Sequence, residues 1–385
     1  MSLTTPVFKF SKGHLILIVF SLSFPCFAAD EQWSLTEDWL VRLGEPKTSQ
    51  DYIQGLFLGG LTALDSSFVI AGGEARVDKR SLLSGESIKR FELAADSQTT
   101  WAEADGSIYG GDTKGYLYRI DLQRNEIIWK QPAKGILFSR PLVQNNQIWM
   151  MNSYGSLESY AADSGQWLWQ QRDPKETSLG MWSFQGPQFF NDYVVNGFPS
   201  GVLMAFEPST GKRIWSEDFR TTEEDTLGLN DLKSVQSSGD YLVASSFSGD
   251  VKAWKKTGAS QALIWEKRFS LHTPASFDIE ANRVYMSDRN ASVMAVELST
   301  GYVIWKYELT GGLGSTPAYQ GNYLWVVSSN GVCSVLNRET GALIAKSKAM
   351  GSAELSPALV FNDGRSAIVL TNLGILRRYS LIKKL

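Results

Sequence analysis

Few residues of this chain are of the types that perform catalysis or bind transition metals. The sequence contains two histidines, and because His14 lies within the first 28 residues, His272 is the one left for the remainder. A histidine-based metal site has no second histidine to work with, and a lone histidine in LHTPAS is a weak basis for a catalytic triad. The sequence favours a local hydrogen-bonding role for His272.

The other reactive side chains are also placed where structure explains them. Asp163, Glu207 and Glu297 recur at turn positions, where a carboxylate can accept hydrogen bonds from the hairpin backbone. Cys333, in the apolar run VCSVL, is the one cysteine after the first 28 residues, which leaves no partner for an intramolecular disulfide there. No glycine-rich phosphate loop leads into a predicted helix. The sequence therefore predicts no catalytic residue, cofactor or metal ion.

A turn followed by tryptophan recurs along the chain and predicts the elements that position everything else. The clearest copies are DSGQWLW at 163–169, STGKRIW at 209–215 and STGYVIW at 299–305, each with glycine four residues before tryptophan. Counting weaker copies, the tryptophan position falls at 39, 89, 129, 169, 215, 265, 305 and 345, a period of about 40 residues. The glycine suits a hairpin position with positive φ. The tryptophans predicted to dock on neighbouring repeats are Trp39, Trp129, Trp169, Trp215, Trp265 and Trp305.

The alternating apolar runs of each repeat predict a meander of four short strands. Such a sheet cannot close its own core, but sheets stacked in a ring can, as the blades of a propeller. Three strand-like runs remain after position 345, so the last repeat lacks an outer strand, and the segment Glu37 to Leu43 has the form of one. The predicted fold is therefore all-β: an eight-bladed β-propeller of four-stranded antiparallel blades, closed by the N-terminal strand completing the last blade.

The N-terminal segment resembles a secretory signal. Lys9 and Lys12 precede an apolar run, Leu15 to Phe24, that is too short to span a bilayer as a helix. Cleavage after Ala28 would leave residues 29–385 as a single propeller domain; lipid attachment at Cys26 is the less favoured alternative, because Phe24 and Pro25 precede it. The chain carries a formal charge of −3 and has no basic stripe, which argues against a nucleic-acid partner.

Three stretches exceed the period and are predicted to form loops on one side of the ring: Glu45 to Gly60, Asp173 to Phe184 and Arg220 to Leu232. The second and third come from adjacent blades, so we expect them to be neighbours. The second is rich in large apolar side chains, Leu179, Met181, Trp182 and Phe184, which together with the acidic third stretch indicate a protein-binding patch. The alternative is that the loop caps the ring and buries its own apolar groups.

The repeats resemble the PQQ-type propeller repeat, whose mark is a threonine-glycine turn before a docking tryptophan, as in Thr210-Gly211 with Trp215 and Thr300-Gly301 with Trp305. Within that superfamily the chain is similar, over nearly all of residues 29–385, to the BamB family of outer-membrane assembly factors. NRVYMSDRNASVMAVELSTGYVIW fits the repeats of that family.

The resemblance implies a non-enzymatic periplasmic scaffold, peripheral to the outer membrane and a monomer within the β-barrel assembly machinery. Its partners would be a POTRA domain of the central barrel subunit and, in addition, unfolded outer-membrane proteins. In that family a leucine-rich loop with an arginine and an acidic pair make the contact. Here the matching positions are Leu179, Met181 in place of a leucine and Trp182 in place of the arginine, with Asn230, Asp231 and Lys233 in the second loop.

Two other functions compete with this interpretation. A quinoprotein dehydrogenase would need a vicinal cysteine pair and a calcium site, and the single Cys333 argues against it. A secreted propeller that binds a different envelope protein or a polysaccharide is compatible with the repeats.

Overall fold

The structure is a computed structural model of the 385-residue chain. It describes residues 33–43, 62–64, 67–72, 75–97, 99–173, 186–219, 232–258, 260–269, 276–349, 351, 357–371 and 374–384. Within these ranges every regular element is a β-strand, and the strands form eight four-stranded sheets. The predicted signal segment, Cys26, His272 and most of the three insertions lie outside the described residues.

The first described strand, β1 (Trp33–Arg42), belongs to the last blade. From the ring axis outward, blades 1 to 4 contain β2 (Thr62–Leu64), β3 (Ser67–Gly72), β4 (Arg76–Ser81) and β5 (Ser87–Glu92); β6 (Ala102–Ala104), β7 (Ser107–Gly111), β8 (Tyr116–Asp121) and β9 (Glu126–Pro132); β10 (Leu142–Gln144), β11 (Gln147–Met151), β12 (Ser156–Ala161) and β13 (Trp167–Arg172); and β14 (Gln188–Phe190), β15 (Tyr193–Gly197), β16 (Val202–Phe206) and β17 (Arg213–Asp218).

Blades 5 to 8 follow the same order. They contain β18 (Leu232–Ser238), β19 (Tyr241–Ser246), β20 (Asp250–Thr257) and β21 (Ser260–Arg268); β22 (Ser276–Asp278), β23 (Arg283–Asp288), β24 (Ser292–Glu297) and β25 (Val303–Glu308); β26 (Ala318–Gln320), β27 (Tyr323–Val327), β28 (Cys333–Asn337) and β29 (Leu343–Lys346); and β30 (Leu359–Phe361), β31 (Ser366–Leu370) and β32 (Ile375–Lys383), with β1 as the outer strand.

The predicted ring closure is confirmed. β1 pairs antiparallel with β32 from Trp33 opposite Lys383 to Arg42 opposite Ile375. The strand begins four residues before the predicted Glu37, because β32 is long enough to pair with the additional residues. The two chain ends are also joined by charge, since Arg378 Nε lies 3.0 Å from an oxygen of Asp38.

The core lies between neighbouring blades rather than within any one of them. The second and third strands of most blades are buried on both faces, as in β7, β16 and β31. At the closure, Phe68 of blade 1 packs in one apolar cluster with Ile368 and Leu376 of blade 8. Because each sheet buries its faces against the next, no blade has a complete core of its own.

A β-bulge precedes the tryptophan position in the outer pair of strands. In blade 3, for example, Trp169 pairs with Ser159 and Trp167 pairs with Tyr160, so that Leu168 has no opposite residue. A bulge adds local twist and changes the direction of the side chains that follow it. It thereby turns the indole ring toward the next blade.

No helix among the described residues is long and apolar enough to cross a membrane.

Candidate protein-binding face

Each docking tryptophan packs against the turn glycine of the following blade, not against the glycine four residues before it in its own repeat. Trp305 of blade 6 donates from Nε1 to the carbonyl of Arg338 in blade 7 at 3.2 Å, and its ring lies against Gly341, which has φ +72°. The same arrangement joins Trp39 to Gly85, Trp129 to Gly165, Trp169 to Gly211 and Trp265 to Gly301. We call each of these contacts a tryptophan-glycine lock. It combines apolar burial of the indole ring with a hydrogen bond from Nε1 to the carbonyl three residues before the glycine.

Three of the eight blade junctions replace this lock. Between blades 7 and 8, Ala345 stands at the tryptophan position, and Trp325 of β27 donates from Nε1 to the carbonyl of Gly364 at 2.7 Å instead. Between blades 1 and 2, Lys79 donates from Nζ to the carbonyl of Leu122 at 2.8 Å, in the place of an indole N–H. Between blades 4 and 5, the buried Nε1 of Trp215 has no hydrogen-bond partner among the described residues, and none of their heavy atoms lies within 4 Å of a Cβ built on Gly258. The β20–β21 hairpin is longer than its counterparts, which carries its turn away from the indole ring.

An ion pair supports that same junction. Lys252 of blade 5 is buried and donates to Glu217 of blade 4 at 2.7 Å, with Glu266 at 3.6 Å. Burial alone would lower the pKa of Lys252, but the two carboxylates outweigh it and raise the pKa. The lysine therefore stays charged and joins the two blades where the tryptophan lock is incomplete.

We expect Trp215→Phe and Trp265→Phe to differ in cost. Both substitutions remove similar ring volume, but Trp265→Phe also removes a 2.8 Å hydrogen bond and leaves the carbonyl of Leu298 without its indole donor. Because Trp215 makes no such bond, its replacement should be milder by about 1–3 kcal/mol in the free energy of unfolding. Urea unfolding followed by circular dichroism measures the difference; equal costs would show that the hydrogen bond adds nothing.

The ends of the second and third insertions converge on one turn of blade 4, residues 198–201. On one side, Ser200 donates its backbone N–H to Asp173 at 2.9 Å. On the other, Phe219 N–H bonds to Gly201 O at 3.0 Å and Leu232 N–H to Phe198 O at 3.4 Å. The sequence predicted that the two insertions are neighbours, and their anchored ends agree with that prediction. The turn that holds both was not recognised from the sequence.

The individual residues predicted to bind a partner are not all visible. Leu179, Met181, Trp182, Phe184, Asn230 and Asp231 lie outside the described residues, and of Lys233 the structure describes only the backbone, within β18. The described residues at the bases of the loops are well packed. Phe219 and Leu232 are 1% and 3% exposed and share a cluster with Leu203 and Trp254. The insertions therefore start and end on a rigid part of the ring.

The buried carboxylates Asp78 and Asp288 are paired with basic side chains. Asp78 accepts from Arg80 at 2.9 Å and Arg90 at 3.1 Å, and Asp288 accepts from Lys306 at 3.1 Å. Among the described residues, no group of three or more histidine, cysteine, aspartate or glutamate side chains could hold a metal ion. Such pairing is typical of carboxylates that stabilise the fold.

The one cysteine of the described ranges is inert. Cys333 is completely buried in β28, and burial raises the pKa of its thiol to about 12. A thiol in that state is neither a nucleophile nor a metal ligand near neutral pH. The turn carboxylates accept hydrogen bonds within their hairpins, but mainly from side chains rather than from the backbone that the sequence suggested: Thr210 Oγ1 donates to Glu207 at 2.5 Å, and hydrogen bonding from the Ser164 side chain is the main cause that lowers the pKa of Asp163.

Comparisons with solved structures agree with this architecture. The crystal structure of BamB from Moraxella catarrhalis matches with a TM-score of 0.71 and 18% identity, covering 90% of this chain and 99% of that one. Quinohemoprotein alcohol dehydrogenase from Comamonas testosteroni matches with a TM-score of 0.69 and 12% identity, covering 90% of this chain and 76% of that one. At these identities each likeness shows the fold alone.

Two curated relatives share more of the sequence, and both are described as outer membrane protein assembly factor BamB. The protein of Legionella pneumophila (strain Paris) is 30% identical over 210 residues, which is 53% of this chain and about half, 52%, of the relative. That of Bordetella pertussis (strain Tohama I) is 25% identical over 320 residues, covering 79% of this chain and 78% of the relative.

The eight blades and their tryptophan-glycine locks define a β-propeller of the PQQ-like class. The family model described as outer membrane protein assembly factor BamB matches residues 73–307 and 289–381. The chain belongs to that family.

Proposed function

We propose that this protein is a non-enzymatic periplasmic scaffold of the β-barrel assembly machinery. It binds a POTRA domain of the central barrel subunit and assists the assembly and insertion of outer-membrane proteins. The observation that carries the proposal is the convergence of two inserted segments on the turn at 198–201, in a chain of the BamB family. Insertions in a ring of repeats project from one face, and such loops commonly bind partners.

The chemistry of the face supports a protein partner. The segment 179–184 carries four large apolar side chains next to an acidic segment with Glu223, Glu224 and Asp225. Apolar anchors surrounded by charged groups are typical of the centre and rim of a protein interface. The paired buried carboxylates and the buried thiol described above offer an enzyme no reactive group, which supports a binding role.

The proposed location is the periplasm, in association with the outer membrane. The first 28 residues have the form of a secretory signal, which supports export. The description of the family as an outer membrane protein assembly factor supports association with the outer membrane. In the favoured interpretation the signal is cleaved after Ala28, and the protein is held at the membrane by its partner. Acylation of Cys26 remains the alternative prediction.

Replacing Met181 and Trp182 together with alanine tests the binding face. We expect co-purification with the barrel-assembly subunit to fall by at least about tenfold, because truncating the central apolar anchors of an interface removes most of its affinity. Thermal unfolding should be nearly unchanged, because the eight-bladed core is elsewhere.

A matched control is available on the rim of blade 6. Tyr302 and Val303 are 69% and 39% exposed, so Tyr302→Ala with Val303→Ala removes a similar apolar pair from a different surface. This control should bind as the unmodified chain does. Equal binding by the Met181 and Trp182 variant would exclude the loop as the anchor, and absence of any binding by the unmodified chain would exclude the partner.

A further inference from the structure

An exposed cation lies beside the base of the second insertion, on the connection between blades 2 and 3. Arg140 comes two residues before β10, at the end of the connection from blade 2 to blade 3. Its side chain is exposed, and among the described residues it has no hydrogen-bond or ion-pair partner. Solvent reaches the guanidinium from one side, yet the surrounding protein removes enough water to lower its pKa. The surrounding protein therefore partly shields a side chain that solvent still reaches.

The position of Arg140 in the repeat places its backbone at the inner rim of the ring. Innermost strands surround the ring axis, and Arg140 immediately precedes one of them. Two residues before the inner strands of blades 2, 4, 7 and 8 the chain has Thr100, Gly186, Thr316 and Pro357. All four are uncharged. Arg140 is therefore the one charged side chain at this level among the described blades that share the register.

Arg140 also lies at the base of the second insertion. Its carbonyl oxygen is 1.8 Å from where a Cβ on Gly186 would be, so the two backbones are in contact. Gly186 is the residue that follows the undescribed segment 174–185. The cation is thus on the face from which the insertions leave the ring, adjacent to the segment that carries Met181 and Trp182.

We propose that Arg140 binds a carboxylate of an acidic side chain on the partner protein, which makes this inner rim part of the interface. The proposal rests on the binding function proposed above and adds a site to it. A guanidinium forms two parallel hydrogen bonds with a carboxylate, a geometry that lysine cannot reproduce. Because no ion-pair partner among the described residues neutralises Arg140, its charge is available to attract an incoming anion.

Binding of the purified chain to the purified periplasmic region of the central barrel subunit tests the proposal. We expect Arg140→Glu to weaken binding by about tenfold or more at low salt, with Arg140→Lys intermediate because it keeps the charge but loses the two-point contact. The difference should shrink as salt screens the pair. Replacing individual acidic residues of the partner with lysine should identify one that restores binding to Arg140→Glu.

Arg124→Glu is the matched control. Arg124 is 72% exposed in the turn between β8 and β9, on the opposite face, and the same change of charge there should leave affinity unchanged. If the unmodified chain binds and Arg140→Glu binds equally well, this proposal is wrong while the proposed function stands. If the unmodified chain does not bind, both fail.

A peptide pair distinguishes the source of the carboxylate. Peptides from the C-terminus of an outer-membrane protein, with a free or an amidated end, should bind equally, since we assign the carboxylate to a side chain of the folded partner. Arg140-dependent binding of the free-ended peptide alone would instead assign the site to an unfolded client and overturn the proposal.

Discussion

Removing β1 should unfold the propeller under conditions in which the complete chain is folded. The deletion of Trp33 to Arg42 exposes the edge of β32 along its length and takes away Trp39, which stacks on Phe68 of blade 1 with ring centroids 6.3 Å apart. Truncating a fully buried tryptophan alone costs about 3–5 kcal/mol, and the half-buried Trp39 should account for part of that amount. Because whole domains are stable by only about 5–15 kcal/mol, losing the entire strand should exceed what the ring can tolerate.

A circular permutant separates the loss of the strand from the loss of its position in the chain. Trp33 pairs with Lys383, so the two chain ends are already adjacent, and a short Asn-Gly turn can join β32 to β1 as an ordinary hairpin. We expect this permutant to unfold at nearly the temperature of the original chain, as measured by circular dichroism. Undiminished stability of the deletion variant would show that the closure contributes little.

The architecture was predictable because its signals are local and repeated. A fixed period, alternating apolar runs and a turn glycine specify a four-stranded blade each time they occur. The closure was predictable for a different reason: three strand-like runs after position 345 leave one strand missing, and Glu37 to Leu43 has its form. Neither inference requires knowledge of which side chains touch.

The locks between blades were harder to predict, since each joins residues from two repeats. The tryptophan and the glycine of one copy lie near each other in sequence but dock on different blades. One signal was available: Trp265 and Gly301 are separated by the same number of residues as Trp305 and Gly341, as a contact between successive repeats requires. The longer hairpin around Gly258 was visible as an insertion, but its effect on Trp215 depends on three-dimensional position.

The proposed binding face was likewise predictable in part from the sequence. Loop lengths placed the insertions on one side and in adjacent blades, because the connections of a meander alternate between faces. The turn at 198–201 could not be singled out, since its importance comes from backbone hydrogen bonds that it makes with both insertions. Arg140 was also missed, because it is distinctive only when compared with the uncharged residues at the same register in other blades.

Gly341→Ala should destabilise the ring strongly for two separable reasons. The residue has φ +72°, a conformation that costs a residue with a Cβ about 1–2 kcal/mol. In addition, the new Cβ would lie 2.6 Å from Cδ2 and Cε3 of Trp305, which is buried at 5% exposure and fixed by its bond to the carbonyl of Arg338. Overpacking of this kind costs about 1–3 kcal/mol. We expect a total loss of about 2–5 kcal/mol in the free energy of unfolding, measured by urea denaturation.

Gly258→Ala isolates the backbone contribution. Gly258 has φ +65°, but no heavy atom of the described residues lies within 4 Å of the new methyl group, so only the conformational cost applies. A double-mutant cycle completes the argument: with Trp305→Ala in the background, the added cost of Gly341→Ala should fall to that of Gly258→Ala, because the clash has been removed. If Gly341→Ala and Gly258→Ala cost the same in the unmodified background, the indole rings do not require glycine, and the regular glycine of this repeat reflects turn geometry alone.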